Sequence, residues 1–513
     1  MGAGNRQLLR AALAITVALL AVSASNRALA QDRGVLSPEL ASVDQAFASG
    51  DIETLEKLKS EHQANLGPLV DSCKALLSGD LDAVESHARL AADTEDQEIR
   101  RRGEWLLDTA VSWRAVLAAT REIPCKELRL RVPAEQVAWG DRICIYASSM
   151  VRATREHVGL AFLPTAQVTF LSSLDALSRV AGIPAARLEA SGTVATTLYG
   201  RIFLLSPGAF PNGYPWHIVL SHEAVHDAVQ RSIPGKLPHY LEEGIATLLE
   251  EWGPYGRLRT FAPMERALLF AAKEQKLLLS DEELDAPYWN LSDPLRARLA
   301  FLQALAGALV LQHKGKGNAV ASLFAALAKP GSTWTQGLRE VSGLTPASFN
   351  ARMRKRWTTM ASRSYLPSFL YSSGTRFLSE KGRRAVKTAR RTVLLGDLLW
   401  GRGHRLAALQ MYNRVPPELQ PTPELAWRTV RLLIEEGRLP EAQQLIEETL
   451  ERHPRDARVQ YAAALLYRAT GDHEQARQAS QDAWLLNPFA EQTEALMANG
   501  PVQLPDLRKE STP

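Results

Sequence analysis

Cysteine is scarce in this sequence, which has 3 cysteines among 513 residues. That number is too small for a disulfide-rich scaffold, and no two of the cysteines form a CxxC pair of the kind that binds structural zinc. At most one disulfide can form, and we take Cys125 and Cys144 as the candidate pair. The sequence also lacks a Gly-rich phosphate loop and a GxSxG nucleophile motif. Nucleotide-dependent and serine-hydrolase chemistry therefore find no support.

An excess of one charge is also missing. The chain has 60 basic and 56 acidic residues, and three of the basic ones, Arg6, Arg10 and Arg27, lie in residues 1–30, which contain no acid. The rest of the chain is almost neutral, so nothing predicts a nucleic-acid partner. Hydrophobic content of 46% and charged content of 23% are typical of a folded domain.

No hydrophobic run is long enough to favour a membrane span. The run Ala11–Val22 has 12 residues, whereas a spanning helix needs about 20. It follows arginines and precedes Ala28-Leu29-Ala30, a small-residue cleavage site, so residues 1–30 predict a secretory signal peptide, with an uncleaved anchor as the alternative. The run Leu299–Leu311 is interrupted by Gln303 and favours a buried core helix. We expect an exported protein, periplasmic or extracellular, with no stable membrane span after signal cleavage.

The rest of the chain divides by its hydrophobic pattern. Residues 31–120 show helical spacing, with turns at Ser49-Gly50-Asp51 and Ser78-Gly79-Asp80. Residues 121–360 mix short β-prone runs with helices and predict an α+β domain with a small mixed sheet. Residues 361–391 form a basic linker or an anion-binding surface, residues 392–500 a helical-repeat array, and residues 501–513 a tail. The predicted fold class is thus α+β flanked by all-α regions.

The C-terminal region contains an internal repeat. Two series of small residues recur every 34 positions: Gly403, Gly437 and Gly471, and Ala408, Ala442 and Ala476. A period of 34 resembles that of tetratricopeptide repeats, which form one helix pair per unit. Leu395, Gly396, Tyr412, Tyr467 and Ala483 also occupy positions of that family. The resemblance implies a protein partner bound by the array. Because stacked repeats contact mainly their neighbours, we expect a large residue such as Phe at Ala442 or Ala476 to loosen the array but leave activity in a folded preceding domain.

The segment from Trp216 to Asp227 contains the motif HExxH. On a helix, residues four apart lie on one face, so His222 and His226 can direct their rings at one metal ion. Glu223 projects beside them and is placed to act as a general base rather than as a ligand. The sequence therefore predicts a catalytic metal site with His222 and His226 as ligands and Glu223 as the base.

A catalytic zinc site needs a third protein ligand and keeps one position open. A second helix is predicted from Pro238 to Trp252, with Pro234-Gly235 as the turn before it. Glu243 falls opposite an aliphatic stripe on this helix, formed by Leu241, Ile245, Leu248 and Trp252. We predict Glu243 as the third ligand of one Zn²⁺ per chain, with Glu242 as the alternative. None of the three cysteines is expected to bind the metal.

These two segments resemble the gluzincin metallopeptidases, in which a pattern like LNEGFASYxE follows HExxH. The corresponding string here runs from Leu241 to Glu250, and the correspondence places the family's third ligand on Glu243. Residues 125–360 also look like the exported peptidase MA-like family. That resemblance implies zinc-dependent peptide hydrolysis, with residues 200–207 as the strand that borders the substrate cleft. The sequence has Glu242 where the pattern has Asn, and it lacks a GxMEN-like segment, so it gives no support to an aminopeptidase.

Several residues near these helices have open roles. Tyr255, Tyr288 and His239 are candidates to stabilise the oxyanion that forms during hydrolysis. Asp227 is either a partner of a ligand or a solvated helix residue. His217 lies off the ligand face, and we interpret it as structural or exposed.

Three functions fit the sequence. The first is an exported zinc metallopeptidase acting on a protein or peptide substrate, with repeats that recruit partners. The second is a repeat-based binding scaffold with a weak or inactive protease-like domain. The third is a zinc amidase that acts on cell-wall peptides through the same site.

Overall fold

The computed structural model describes residues 37–49, 51–160, 165–210, 213–233, 235–286, 288, 291, 293–361, 380–416 and 422–490. The predicted signal peptide and C-terminal tail lie outside the described residues. So do residues 362–379 of the predicted basic linker. The remainder of that segment, residues 380–391, was wrongly predicted as linker, because it forms the first half of a helix that runs to Gly401.

The described part of the N-terminal region consists of five helices: α1 (Pro38–Ser49), α2 (Ile52–Glu61), α3 (Gln63–Ser78), α4 (Leu81–Ala92) and α5 (Gln97–Ala118). Asp51, Asp80 and Asp96 each begin a helix and accept hydrogen bonds from its free backbone N–H groups. Gly79 ends α3 with φ of 88°, a conformation that glycine adopts without strain. The predicted all-helical region is confirmed, as is the turn at Ser78-Gly79-Asp80.

A mixed sheet of five strands follows: β1 (Thr120–Ile123), β2 (Leu128–Pro133), β3 (Ala166–Leu171), β4 (Ala195–Leu198) and β5 (Arg201–Leu205). The spatial order is β1-β2-β3-β5-β4. The central pairs β2–β3 and β3–β5 are parallel, and the outer pairs are antiparallel. Because β4 and β5 form a hairpin, β4 becomes the edge strand and β5 lies inside the sheet.

Helices of the central domain cover this sheet. Between β2 and β3 lies α6 (Val137–His157), and between β3 and β4 lie α7 (Leu174–Ala181) and α8 (Ala185–Ser191). The sheet is followed by α9 (Trp216–Ser232), α10 (His239–Leu249), α11 (Trp252–Tyr255), α12 (Pro263–Glu274), α13 (Asp281–Asp285), α14 (Pro294–Lys314), α15 (Ala319–Ala328), α16 (Trp334–Ser342) and α17 (Pro346–Met360). By length and composition α14 could cross a membrane, but 83% of its apolar window is buried inside the protein.

Gly244 allows α10 to lie directly against α14. A Cβ atom at this position would come within 2.2 Å of the carbonyl oxygen of Ala304, which is fixed backbone of α14. Only glycine permits so close an approach. The contact fixes the helix that carries Glu243, the residue immediately before Gly244.

The C-terminal array consists of six helices within the described residues: α18 (Glu380–Gly401), α19 (Arg405–Asn413), α20 (Pro423–Glu435), α21 (Leu439–Arg452), α22 (Ala457–Thr470) and α23 (His473–Leu486). The repeated glycines lie in the turns within the three helix pairs, with φ of 81°, 72° and 83° at positions 403, 437 and 471. The repeated alanines 408, 442 and 476 are buried where the helices pack together. The structure therefore has the helix pairs that the 34-residue period predicts.

The array has its own hydrophobic core, but its last helix also belongs to the central domain. Trp484 and Leu485 of α23 are part of the large core that includes the sheet and α9. The ring of Trp484 lies 5.6 Å from that of Tyr146 on α6. At Gly213, just before α9, a Cβ would meet the carbonyl oxygen of Leu486 at 2.1 Å. The last helix of the array therefore packs against the central domain as well as against its own repeat.

Candidate metal centre

The helix α9 carries both histidines of the HExxH motif in the interior of the protein. His222, Glu223 and His226 are each 0% exposed. The Nε2 atoms of His222 and His226 are 3.0 Å apart, so both rings point to the same place. This is the arrangement that the four-residue spacing predicts.

Glu243 reaches the same place from α10. Its Oε2 atom lies 3.4 Å from Nε2 of His222 and 3.6 Å from Nε2 of His226. Neither oxygen of this buried carboxylate has a hydrogen-bond partner. His222, His226 and Glu243 form a group whose possible ligand atoms all lie within 4.8 Å of one another.

The three distances fit a single tetrahedral metal ion. Ligand atoms about 2.0–2.2 Å from zinc in tetrahedral geometry lie about 3.3–3.6 Å from one another. The observed separations of 3.0, 3.4 and 3.6 Å are close to this value. The carboxylate without a hydrogen-bond partner supplies the negative charge that such an ion requires. The donor set, two imidazoles and one carboxylate, is that of a catalytic rather than a structural zinc site.

Each histidine also faces a carboxylate with its other ring nitrogen. Nδ1 of His226 is 2.8 Å from Oε1 of Glu242, and Nδ1 of His222 is 3.9 Å from Oε2 of Glu250. Glu242 therefore lies behind His226, outside the cluster, and not in the ligand position that was its alternative assignment. Carboxylates in this position orient the ring of a metal ligand and fix its tautomer.

Charges within the cluster oppose the effect of burial. Burial alone lowers the pKa of His226, but the carboxylates of Glu243 and Glu242 outweigh it, so the pKa is raised well above its ordinary value. Burial raises the pKa of Glu243, and the neighbouring His226 and His222 more than reverse this, so that pKa is lowered. The opposite directions of these two shifts reflect charge attraction between the imidazole of His226 and the carboxylate of Glu243.

Glu223 lies beside the cluster and contacts the edge strand of the sheet. Its Oε2 accepts a hydrogen bond of 2.7 Å from Oγ1 of Thr197 on β4, while its Oε1 is buried without a partner. Burial raises the pKa of Glu223, although His226, His222 and Thr197 each reduce the shift. Glu223 is therefore contacted by β4, the strand that pairs with β5. That residues 200–207 border a substrate cleft stays a prediction.

Thr197 was missed by the sequence analysis. It lies in the run Thr193–Thr197, whose β-branched residues favour a strand but do not alternate between apolar and polar in a way that shows which face each side chain takes. The pairing of β4 with β5 places Thr197 opposite Ile202, and only this register carries its hydroxyl to Glu223. The sequence gives no signal for this contact.

The oxyanion candidates separate in the structure. The ring of Tyr288 lies 4.9 Å from that of His239, whose Nε2 is 3.9 Å from Oε1 of Glu243. The hydroxyl of Tyr288 is buried without a hydrogen-bond partner. Tyr255, in contrast, contacts Nε2 of His217 at 3.1 Å. Tyr288 and His239 are thus beside the cluster, whereas Tyr255 is engaged elsewhere.

The remaining candidates have structural contacts. His217 is fully buried and not exposed, and burial lowers its pKa to about 3. Asp227 is 1% exposed and pairs with Arg155 and Arg231, so it is neither solvated nor a partner of a ligand. The contact with Arg155 joins α9 to α6 and helps to fix the orientation of the ligand helix.

The cysteines lie outside the cluster. Cys125 and Cys144 form a disulfide, which was the candidate pair, and Cys73 is free and buried among the N-terminal helices. The disulfide connects the loop between β1 and β2 to α6, the helix against which α9 packs.

Comparison with known proteins identifies one part of the chain. Residues 433–500 match the family model of the tetratricopeptide repeat. No curated protein and no solved structure matches the chain. Repeats of this kind form extended surfaces that bind proteins, so the match supports the protein-binding hypothesis. The metallopeptidase hypothesis depends on the geometry of the site.

Proposed function

We propose that this protein is an exported zinc-dependent peptide hydrolase whose C-terminal repeats bind a protein partner. The observation that carries the proposal is the convergence of His222, His226 and Glu243 on one buried point, with Glu223 beside it. Burying four ionisable side chains together is unfavourable unless they pair with one another or bind a ligand. A zinc ion held by His222, His226 and Glu243 would offset the cost of burying them.

In this proposal each residue has a separate role in hydrolysis. His222, His226 and Glu243 would hold the ion, which supplies Lewis-acid activation of the scissile carbonyl and of a water molecule. Thr197 fixes one oxygen of Glu223 by its hydrogen bond. The other oxygen has no partner and is available to accept the proton of the attacking water. Glu223 then returns this proton to the leaving amine.

Tyr288 is the residue we assign to the oxyanion. Its hydroxyl is a hydrogen-bond donor without a partner, beside His239 and close to Glu243. A donor that is already in place when negative charge develops stabilises the transition state without reorganisation. His222, Glu223, His226 and Glu243 are all fully buried, so a peptide can reach them only in a more open form of the protein.

Export is supported by the disulfide and by the predicted signal peptide. Disulfides persist in oxidising compartments such as the periplasm, and Cys125 and Cys144 form one in this structure. In that compartment a zinc amidase acting on cell-wall peptides would use the same residues as a peptidase.

A binding scaffold is the second candidate, and the match to tetratricopeptide repeats favours it. In that case the central domain would support the array without hydrolysing a substrate. The scaffold and the enzyme differ in what they require of Glu223, since a scaffold does not need a general base.

Substitution of Glu223 tests the proposal. We expect Glu223→Gln to keep zinc and fold while peptide hydrolysis falls by roughly 100-fold or more, the effect of a positioned acid-base group. Tyr288→Phe should also keep zinc and lower kcat. His222→Ala should lose the metal. The measurement is zinc content by elemental analysis together with a broad peptide screen on wild type and variants.

The outcomes separate the candidates. Equal hydrolysis by wild type and Glu223→Gln would mean that this glutamate is not catalytic. Wild-type protein that contains no metal after purification with added zinc would remove the basis for the enzyme. Zinc binding without hydrolysis of any peptide would favour the scaffold.

A further inference from the structure

Glu250 lies between the metal cluster and the C-terminal array. It directly follows α10, and its side chain is almost fully buried, with 1% exposure. One carboxylate oxygen, Oε2, faces Nδ1 of His222. The other oxygen, Oε1, accepts a hydrogen bond of 3.1 Å from Nη1 of Arg455 and lies 3.0 Å from Nε of Arg259. A ligand histidine and a residue of the array therefore contact the same carboxylate.

The contact between His222 and Glu250 joins two atoms that have no other partner. Nδ1 of His222 and Oε2 of Glu250 are 3.9 Å apart, and both are buried without a hydrogen bond. Buried polar atoms are normally paired. A movement of about 1 Å would bring this pair to the usual N–H···O distance. The pairing assigns the proton of His222 to Nδ1 and leaves Nε2 for the metal.

Arg455 comes from the connection between α21 and α22 of the array. Its guanidinium contacts Glu250 and also the neighbouring Glu251. A guanidinium has several donors in one plane and can hold two carboxylates at once. The contacts of its Oε1 with Arg259 and Arg455 thus fix Glu250 in position, the second of them from the side of the array.

We infer that Arg455 is a positioning residue for the metal site: through Glu250 it fixes the ring of His222, so that docking of the repeat array increases the affinity for zinc. This inference rests on the proposed function. It gives the last repeat a second role besides partner binding. A partner that displaces the array would weaken zinc binding in the central domain.

The test is the zinc affinity of the full-length chain, measured by competition with a chromophoric chelator. The variants are Arg455→Gln and Glu250→Gln. Two variants serve as controls. Arg477→Gln removes an exposed arginine that pairs with Glu474 inside α23. Glu251→Gln removes the other partner of Arg455 but leaves Glu250 unchanged. Circular dichroism checks that each variant is folded.

We expect Arg455→Gln to weaken zinc binding by roughly 10-fold to 100-fold, the range for outer partners of metal ligands. Glu250→Gln should weaken it by at least as much, and the double variant should lose no more than Glu250→Gln alone. Cobalt in place of zinc should show an altered visible spectrum in Arg455→Gln, since the orientation of one ligand changes. Arg477→Gln should match wild type.

Two results would overturn the inference while leaving the proposed function intact. One is an unchanged zinc affinity in a folded Arg455→Gln variant. The other is an equal loss in Glu251→Gln, which would mean that docking in general, and not the contact with Glu250, matters. If Arg455→Gln does not fold, Arg455→Lys serves instead. It keeps the charge but lacks the planar group that contacts both Glu250 and Glu251, so its zinc affinity should lie between that of wild type and that of Glu250→Gln. Wild-type protein that binds no zinc would overturn the proposed function and this inference with it.

Discussion

The central domain and the C-terminal array bury different kinds of residue. In the central core His222, Glu223, His226 and Glu243 are all fully buried beside aliphatic and aromatic side chains. The array core is built mainly from alanine, leucine and valine. Burying charged groups opposes folding, whereas burying small apolar groups favours it. The array is therefore constructed for close packing of helices, and the central domain retains polar groups that packing alone does not explain.

The boundary between the two regions does not follow the repeat pattern. The first helix pair of the array packs within the array core, whereas Trp484 on the last helix is part of the central core. Helices of the array therefore pack either within the array or against the central domain. Substitutions in the first and last repeats should separate the effects of these two kinds of packing.

The largest effect is expected from Trp484→Ala. Trp484 is 2% exposed and packs against Tyr146 of α6. Truncation of a buried tryptophan costs about 3–5 kcal/mol. We expect faster amide hydrogen exchange in both α23 and α6, measured by mass spectrometry. The matched control is Trp427→Ala, which removes a tryptophan that packs on the array core, and its effect should stay within the array. Unchanged exchange in α6 of Trp484→Ala would mean that the two regions do not share a core.

A smaller and more local effect is expected from Ala408→Phe in the first repeat. Ala408 is 0% exposed where α19 packs within the array. A larger side chain forces its neighbours apart and costs about 1–3 kcal/mol. Exchange should rise in α18 to α20, while zinc affinity and exchange in α9 stay at wild-type values, since repeats contact mainly their neighbours. Loss of zinc in this variant would show that the whole array, and not only its last repeat, supports the site.

The smallest effect concerns pH and Asp482, which lies on α23 where it meets the central domain. Burial raises the pKa of Asp482 to about 6 from 3.8, although Gln478 and Arg257 reduce the shift. Its ionised form therefore opposes folding above pH 6, and this penalty is lost as the pH falls from about 6 to about 4. The change from 3.8 to about 6 corresponds to at most about 3 kcal/mol, and the partial exposure of the side chain reduces this. We therefore expect Asp482→Asn to raise the unfolding free energy by about 1–2 kcal/mol at pH 7.5 and little at pH 4. Denaturant titrations at both pH values measure this.

The control for Asp482 is Glu474→Gln, an exposed acid on the same helix. Its pairing partner, Arg477, is also exposed, so its removal should change stability little at either pH. A gain in Asp482→Asn that is the same at pH 4 and pH 7.5 would argue against titration of this carboxyl. The comparison would then favour a packing effect of the amide.

The sequence by itself predicted the features that depend on spacing along one chain segment. His222 and His226 are four residues apart, so any helix brings them together, and the 34-residue period fixes one helix pair per repeat whatever the partner surface is. Glu243 was also predicted, because its place opposite the aliphatic stripe of α10 follows from helical periodicity.

Only the tertiary structure decided the contacts between segments distant in sequence. Thr197 reaches Glu223 because β4 forms the edge of the sheet, and Arg455 reaches Glu250 because the last repeat packs on the central core. Glu242 was an alternative ligand by sequence, and the rotation of α10 placed it behind His226 instead. Helical periodicity gives the face on which a side chain lies, but the packing of the whole chain determines what that face meets.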